Sequence, residues 1–365
     1  CNKAIRTRTR ADRKNTVTGL SRTPLLLLLF ISLCGCESIG YYRQAIGGHL
    51  SLLHRSKPIS HYLSSEQTSA ELKSQLRKVQ ALRQFAGQEL LLPVKKQYSR
   101  YVSLDRNYVV WNVFAAPEFS LQPKTWCYPV AGCASYRGYY AEATARRYAA
   151  KLQARGYDVY VAGIAAYSTL GWFKDPVLSS FIYRSDVDLA DLLFHELAHQ
   201  LLYIKDDTPF NESFATVVAR EGVRHWLQQR GVKAAYDTFV TDQKKQQAFI
   251  ELVTSYRELF SNLYSSNLDD EEKRRQKAVL INRLKLDHQK LKDRWGGQSD
   301  YDGWFEQDIN NAQLNTVATY FDLVPALAHL LVQQNNDLSA FYRECARLAH
   351  LSKQQRYDLL NSHIH

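Results

Sequence analysis

The segment HELAH, residues 195–199, has the residue types and spacing of a metal-dependent hydrolytic site. On a helix, His195 and His199 are four residues apart, so both imidazoles leave the same face and can bind one Zn²⁺ at about 2.0–2.1 Å. Glu196 would lie beside that ion, where a carboxylate can take a proton from a water molecule. The pattern therefore predicts one zinc ion per chain, with Glu196 as the general base.

The residues around this segment predict that it is helical. Ser185, followed three residues later by Asp188, reads as a capping box, and apolar residues then keep helical spacing to about Tyr203. A chance match on a solvated helix is the alternative. The apolar context argues against it, because two histidines and a glutamate among Leu, Phe and Ala are costly to bury without a partner such as a metal.

Glu212, thirteen residues after the second histidine, is the expected third metal ligand. After a short polar break, Thr208 as N-cap and Pro209 at the first helical position begin a second helix that runs towards Gly231. Two helices joined by a tight loop can bring Glu212 back to the histidines. The rival is Glu221, about two and a half turns further along the same helix.

A hydrolase of this kind also needs a neutral donor for the oxyanion that forms on the substrate. Tyr167 is our first candidate, and Tyr203 and Tyr136 are others among the 23 tyrosines. Asp175, before a proline, could bind a substrate ammonium, although a turn role is sufficient to explain it. Asp191, four residues before the first histidine, could orient that imidazole.

The string FNESFA around Glu212 resembles the NE-x-FA segment of gluzincin aminopeptidases, in which that glutamate binds zinc. The gap from the second histidine is shorter here than in the thermolysin-like and aminopeptidase-N-like families. Together with residues 111–140, 166–181 and 207–215, it makes the chain similar to a family of predicted aminopeptidases found as lipoproteins in Gram-negative bacteria. The resemblance covers about residues 41–347 and implies a zinc peptidase acting on peptide substrates.

The N-terminus predicts export and a lipid anchor. Residues 1–22 carry seven basic side chains against one acidic side chain, and an apolar stretch, residues 24–33, follows. The sequence LCGC that ends at Cys36 resembles a bacterial lipobox, so Cys36 is the predicted lipidation site and the attachment to the membrane. The next residue is Glu37 rather than Asp, so nothing favours inner-membrane retention, and an outer-membrane lipoprotein facing the periplasm is the first expectation. The alternatives are an ordinary signal peptide and a buried Cys36.

Removal of a signal peptide changes the meaning of the net charge. The whole chain carries +11, but residues 1–35 hold seven basic and one acidic side chain, so the remainder carries +5. A basic face for nucleic acid therefore loses its support, and we expect no nucleic-acid partner.

Cys127 and Cys133 are six residues apart around a proline and a glycine that favour a turn, which predicts a small disulfide loop. Two reduced thiols or metal ligands are the alternatives, and the lack of a matching second pair argues against zinc. Cys345, on an amphipathic segment, is expected in the core.

The predicted fold class is α+β, with a zincin-like metallopeptidase core, made of a small mixed sheet plus the HExxH helix, and a mainly α-helical C-terminal part. The expected organisation is a lipoprotein signal peptide (1–35), an N-terminal helical segment (36–92), the catalytic core (93–233) and a C-terminal helical region packed on it (234–365).

Within the core, apolar patterns predict a strand over residues 107–115, a helix over 139–153 and a strand over 157–166. Residues 159–168 occupy the place of the edge strand that pairs with extended substrate in zincins; an interior strand is the alternative. In the C-terminal third, helices are expected over 236–264 and 269–295.

A further helix should begin at Asn310 and break near Pro325, and its Tyr320 and Phe321 could cover the cleft. The function favoured by these patterns is a membrane-anchored periplasmic zinc aminopeptidase. A zinc endopeptidase, or a non-catalytic lipid-anchored binding or assembly factor with a structural zinc, remains open.

Overall fold

The structure, a computed structural model, describes residues 40–128, 132–166 and 174–362, with the side chain of residue 361 left out. The chain divides into two compact units, residues 1–44 and 45–365. In the first unit, residues 40–44 are helical. All elements that form the candidate site belong to the second unit.

The second unit is a mixed α+β structure in which short strands alternate with helices and a long series of helices follows, so the predicted class is confirmed. It begins with helix α1, residues 45–55. The described strands are β1 (Lys57–Pro58), β2 (Arg100–Val102), β3 (Val110–Pro117), β4 (Trp126–Tyr128), β5 (Gly132–Ala134), β6 (Tyr136–Tyr139), β7 (Tyr157–Ile164) and β8 (Val177–Leu178). The helices that follow α1 are α2 (Ile59–Ser64), α3 (Ala70–Gln88), α4 (Glu142–Gln153), α5 (Asp186–Leu201), α6 (Thr208–Arg230), α7 (Lys233–Ser265), α8 (Asp270–Arg294), α9 (Asp302–Phe305), α10 (Asn311–Phe321), α11 (Val324–Gln333), α12 (Leu338–Ala349) and α13 (Lys353–Ser362).

The central sheet has the strand order β6-β3-β7, and both pairings are antiparallel. Strand β3 is buried over seven of its eight residues, because α4 and α10 both pack on it. It starts three residues later than the sequence predicted, and β7 ends two residues earlier. The predicted helix over 139–153 starts only at Glu142, because Tyr139 pairs with Trp111 in the sheet.

Two smaller sheets flank this one. Strands β1, β2 and β8 form a three-stranded sheet in which β2 and β8 are parallel, and β4 and β5 form a hairpin. The described strands thus form three small sheets rather than the one small mixed sheet that was expected, and the zincin-like core stays a prediction. Most of the unit's regular structure is helical.

One large hydrophobic core joins the beginning of the second unit to its end. It contains Leu76 of α3, Phe194 of α5, Phe214 of α6 and Phe341 of α12, each with no exposed surface. A second core lies between α7, α8 and α10, around Phe260. Phe321, at the end of α10, packs against both cores.

The C-terminal helices follow the predicted order. Helices α7 and α8 cover the two segments predicted from apolar spacing, and α10 begins after Asn310, whose side chain caps it by accepting the N–H of Gln313. Pro325 lies in the first turn of α11, so the chain breaks where expected. None of the described helices is long and apolar enough to span a membrane.

Candidate metal centre and active site

Helix α5 carries the HELAH segment and is fixed by its cap and its apolar face. The Oγ atom of Ser185 accepts the backbone N–H of Asp188 at 3.1 Å, which confirms the predicted start of the helix. Leu189, Leu193 and Leu197 recur at four-residue spacing and have no exposed surface. Because this face is packed into the core, the other face, which carries both histidines, is directed to the candidate site.

Helix α6 begins one residue away from the predicted position. Thr208 is its first helical residue rather than its N-cap; Asp207 occupies the cap position, and its side chain makes no capping hydrogen bond. Pro209 follows in the first turn, and Gly231 ends the helix in the left-handed conformation, with φ of 64°. Asp207 does not cap the helix because its carboxylate is turned towards Arg356 of α13.

The loop between α5 and α6 is tied to the first turn of α6. The side chain of Asn211 accepts the N–H of Ile204 and donates to the carbonyl of the same residue, both at 2.7 Å. Further along, Gly222 allows α6 to approach α5 closely, since a Cβ at this position would lie 2.8 Å from the ring of Phe194. The two helices therefore pack directly on each other.

This packing brings the two histidines and Glu212 together. The Nε2 atoms of His195 and His199 are 3.1 Å apart, and the Oε2 atom of Glu212 is 3.3 Å from the first and 3.6 Å from the second. Two atoms each bound at about 2.0–2.1 Å to a tetrahedral zinc would be about 3.4 Å apart. The three atoms thus have the separations that a tetrahedral ion requires of three of its ligands, and the group could hold a metal.

Glu221, the rival third ligand, is engaged elsewhere. Its carboxylate accepts two hydrogen bonds from Arg224 and lies 2.9 Å from the Nε2 atom of His225. Among the described residues, the group that could hold a metal contains Glu212 and not Glu221.

The electrostatics of the centre separate its two glutamates. Burial alone would raise the pKa of Glu212, but His199 and His195 outweigh it and lower the pKa to about 2. Burial raises the pKa of Glu196 to about 7; His195 opposes the shift, whereas Glu212 and Asp175 add to it. One carboxylate is thus held ionised between the imidazoles, and the other can exchange a proton near neutral pH.

Three tyrosines, Tyr136, Tyr203 and Tyr320, lie within electrostatic reach of one or both carboxylates. Burial raises the pKa of Tyr136 and of Tyr320, and the charges of Glu212 and Glu196 raise both further. Both phenols are therefore neutral donors at physiological pH, and neither hydroxyl donates to another group in the described parts of the chain. Tyr203, with 37% of its surface exposed, also has its pKa raised by burial and by Glu212.

Of the three tyrosines suggested from the sequence, Tyr136 and Tyr203 thus lie within electrostatic reach of the centre. Tyr167, the first candidate, lies outside the described residues, and its catalytic role stays a prediction. Tyr320 was suggested only as a cover of the cleft. No local pattern could have identified it as a partner of Glu212, since 108 positions separate the two residues in the chain.

Strands β6 and β7 are the two edges of the central sheet as described. Tyr136, the strand residue whose pKa responds to Glu212 and Glu196, lies on β6. The predicted substrate strand over residues 159–168 corresponds to β7 and to following residues that are partly outside the described chain. Its contact with substrate stays a prediction.

A cavity of about 350 Å³ adjoins the candidate metal centre on the side of His195. Asp191, Arg220 and Tyr320 line it together with that histidine. Burial raises the pKa of Asp191, against the opposing charges of His195 and Arg220. Asp191 therefore lies beside the first histidine, and its role in orienting that imidazole stays a prediction. Asp175, the candidate for binding a substrate ammonium, is 1% exposed, and its charge contributes to the raised pKa of Glu196. Its role in substrate binding stays a prediction.

The disulfide hairpin lies against the loop that joins α5 and α6. Cys127 and Cys133 are bonded to each other across β4 and β5. The N–H of Cys133 donates to the carboxylate of Asp206, and Gly132, with φ of 78°, leaves no space for a Cβ beside that carboxylate. The hairpin therefore positions the strand that carries Tyr136 relative to the loop. Cys345 is fully buried with a free thiol, as expected, and Cys36 lies outside the described residues.

The chain matches the family described as "Putative aminopeptidase" over residues 40–360. It therefore belongs to this family, which supports a peptidase, and hence a hydrolase that acts on peptides. A comparison with curated proteins and a comparison with solved structures each found no match.

Proposed function

We propose that the protein is a zinc-dependent aminopeptidase of gluzincin type, with one Zn²⁺ held by His195, His199 and Glu212. The observation that carries the proposal is the triangle of ligand atoms, 3.1, 3.3 and 3.6 Å on its sides. Two imidazoles and one carboxylate form a ligand set that suits zinc and leaves a fourth position open. Membership of an aminopeptidase family supports peptides as the substrate class.

Bound zinc would supply a Lewis acid that polarises the scissile carbonyl and lowers the pKa of a water molecule. Glu196 accepts the proton of the attacking water and returns it to the leaving amine. A carboxyl with a pKa of about 7 suits both steps, since it can take and release a proton near neutral pH. Glu212 stays ionised throughout, because the two imidazoles lower its pKa.

Tyr136 and Tyr320 are the donors for the oxyanion in this proposal. Their hydroxyls stay protonated because burial and the nearby carboxylates raise their pKa values. A neutral donor that is already oriented in a buried site stabilises developing negative charge without reorganisation of water. The cavity beside His195 offers space for part of the substrate.

The proposal is tested by peptide hydrolysis and zinc content measured on the same preparations. Wild type should hydrolyse unblocked peptides and contain close to one zinc per chain. Glu196→Gln should retain the zinc and lose about 10²- to 10⁴-fold in kcat. Glu221→Gln is the matched control, because this buried glutamate on α6 lies outside the metal group, and its activity should stay near that of wild type.

Acetylation of the substrate N-terminus separates the aminopeptidase from an endopeptidase. An aminopeptidase needs the free ammonium, so cleavage of the acetylated peptide should disappear. Cleavage at the same rate would identify an endopeptidase. No hydrolysis of any peptide by zinc-loaded wild type would leave a binding or assembly factor with a structural zinc.

We also propose that the protein is an outer-membrane lipoprotein facing the periplasm, anchored through Cys36. The basic and apolar N-terminal residues and the lipobox support the proposal. The disulfide between Cys127 and Cys133 is compatible with an oxidising compartment. Mass spectrometry of the mature N-terminus should find an acylated cysteine, and Cys36→Ala should release the protein from the membrane fraction. A membrane-bound Cys36→Ala variant would contradict the proposal.

A further inference from the structure

Arg356 and Asp207 form a buried ion pair between α13 and the start of α6. The two residues are 2% and 1% exposed. The Nε and Nη2 atoms of Arg356 donate to the same carboxylate oxygen at 3.0 and 2.6 Å. The hydroxyl of Tyr357 donates to the other oxygen at 2.9 Å. Both oxygens of Asp207 are therefore held by a helix that lies 149 residues away in the chain.

The arginine is equally fixed on its own side. Its Nη1 atom donates to the carbonyls of Leu348 and Leu351 at 3.2 and 3.0 Å. Its guanidinium also lies over the ring of Phe210, 5.3 Å from the centroid. Arg356 thus joins the C-terminal end of α12, and α13 itself, to two residues that lie five and two positions before Glu212.

The first turn of α6 is consequently held from two sides. Arg356 holds Asp207 and Phe210 from the C-terminal helices, and Asn211 is bonded to Ile204 in the loop after α5. Glu212 is the next residue. At a rise of about 1.5 Å per residue, its Cα is about 7.5 Å along the helix from that of Asp207. A small rotation of this turn would move the carboxylate away from the imidazoles.

The orientation of Asp207 indicates a role beyond local helix stability. Aspartate is a favoured N-cap residue because its carboxylate can accept the free N–H groups of the first turn. Here the cap position is occupied by aspartate, but the side chain makes no capping bond and faces Arg356 instead. Buried ion pairs contribute little net stability compared with apolar replacements, and their best-attested use is to fix a particular geometry.

We propose that Arg356 is a positioning residue for the metal centre, which acts through Asp207 to hold Glu212 at the two histidines. The proposal rests on the proposed zinc site. It predicts that zinc affinity depends on an arginine that touches neither the metal nor the substrate.

The molecule offers a matched control for this ion pair. Lys277 of α8 is buried, Asp158 of β7 is half-buried, and their charged atoms are 2.6 Å apart. This pair joins elements that carry none of the three ligands. The double variant Asp207→Asn/Arg356→Gln should be compared with Asp158→Asn/Lys277→Gln, since each neutralises both members of one pair. Arg356→Lys, which keeps the charge but loses the paired N–H donors, is the conservative variant.

The first measurement is the zinc dissociation constant, from competition with a chromophoric chelator, on variants with native circular dichroism. We expect the Asp207→Asn/Arg356→Gln variant to lose about tenfold or more in affinity, as substitutions that disturb the orientation of metal ligands do. Arg356→Lys should lose less, and the control should stay within about twofold of wild type even when its Tm falls equally. In a Glu212→Gln background the Asp207→Asn/Arg356→Gln change should cause no further loss, because the ligand it positions is gone.

The second measurement needs no metal and covers variants whose zinc affinity cannot be determined. Amide hydrogen exchange of metal-free Arg356→Lys should accelerate at residues 208–212 and not in the control. Equal zinc affinities of the Asp207→Asn/Arg356→Gln and control variants, or unchanged exchange at the start of α6, would overturn the positioning role. Wild type that binds no zinc would instead overturn the proposed function, so the two failures are distinguishable.

Discussion

On the proposed zinc site, loss of the anionic ligand Glu212 should remove most of the stabilisation that bound zinc gives to the folded protein. At a free zinc concentration 100 times its dissociation constant, an ion that binds only the folded state stabilises it by about 2.7 kcal/mol. At an unfolding entropy of about 2.1 cal/mol/K per residue, a free energy of this size corresponds to an increase in Tm of about 4 °C in a chain of this length. Wild type should therefore show this difference between zinc-loaded and chelator-treated samples.

Glu212→Gln should reduce that difference sharply. The oxygen removed lies 3.3 and 3.6 Å from the two imidazole nitrogens, so the variant keeps only two of the three ligands. Its dissociation constant should rise at least about 100-fold, the upper end of what disturbed ligand orientation alone causes. At the same zinc concentration the stabilisation then falls to about 0.4 kcal/mol, which corresponds to less than about 1 °C in Tm.

The assay is thermal unfolding followed by circular dichroism, with zinc buffered in one sample and chelated in the other. Glu221→Gln is the control, because this glutamate is similarly buried on α6 and pairs with Arg224. It should lower both Tm values and leave their difference intact. A full zinc effect in Glu212→Gln, or its loss in Glu221→Gln, would refute the assignment of the third ligand.

Three further predictions concern the donor, the helix contact and the hairpin. Tyr136→Phe should lower kcat by about 10²- to 10³-fold at unchanged zinc content, whereas the more exposed Tyr203→Phe should have little effect; equal effects in steady-state assays would contradict the donor role. Gly222→Ala should lower the free energy of unfolding by about 1–3 kcal/mol, because its Cβ would overlap neighbouring side chains, and urea denaturation that finds no loss would count against this close contact. Replacement of Cys127 and Cys133 by alanine should lower the free energy of unfolding by about 2 kcal/mol, the value for so short a loop. Equal urea midpoints for reduced and oxidised wild type would argue against this contribution of the disulfide.

The predicted part of the site is the part that depends on local spacing. Four residues separate the two histidines, and that spacing on an apolar-faced helix is sufficient to bring their imidazoles to one centre. The position of Glu212 could also be predicted from the sequence, because a short loop between two helices restricts where the second helix can begin. The structure adds the distances and removes Glu221 as a rival, since that residue pairs with its neighbours on the same helix.

The parts that could not be predicted depend on contacts between distant segments. Asp207 falls in the short polar break that the sequence predicts before Thr208. A carboxylate before Thr-Pro carries no local sign that an arginine 149 positions later will bind it. Tyr320 approaches Glu212 only because α10 packs on α6. The strand boundaries shifted for a similar reason. Tyr139 has a side chain suited to either state, and its pairing with Trp111 decides for the sheet.

The most direct test of the zinc site is anomalous diffraction at the zinc edge from crystals of wild-type protein grown with zinc. We predict one strong peak per chain, about 2.0–2.2 Å from the Nε2 atoms of His195 and His199 and from a carboxylate oxygen of Glu212. A well-ordered structure without a peak at these three residues, or with the peak held by other side chains, would contradict the zinc centre and the peptidase mechanism based on it.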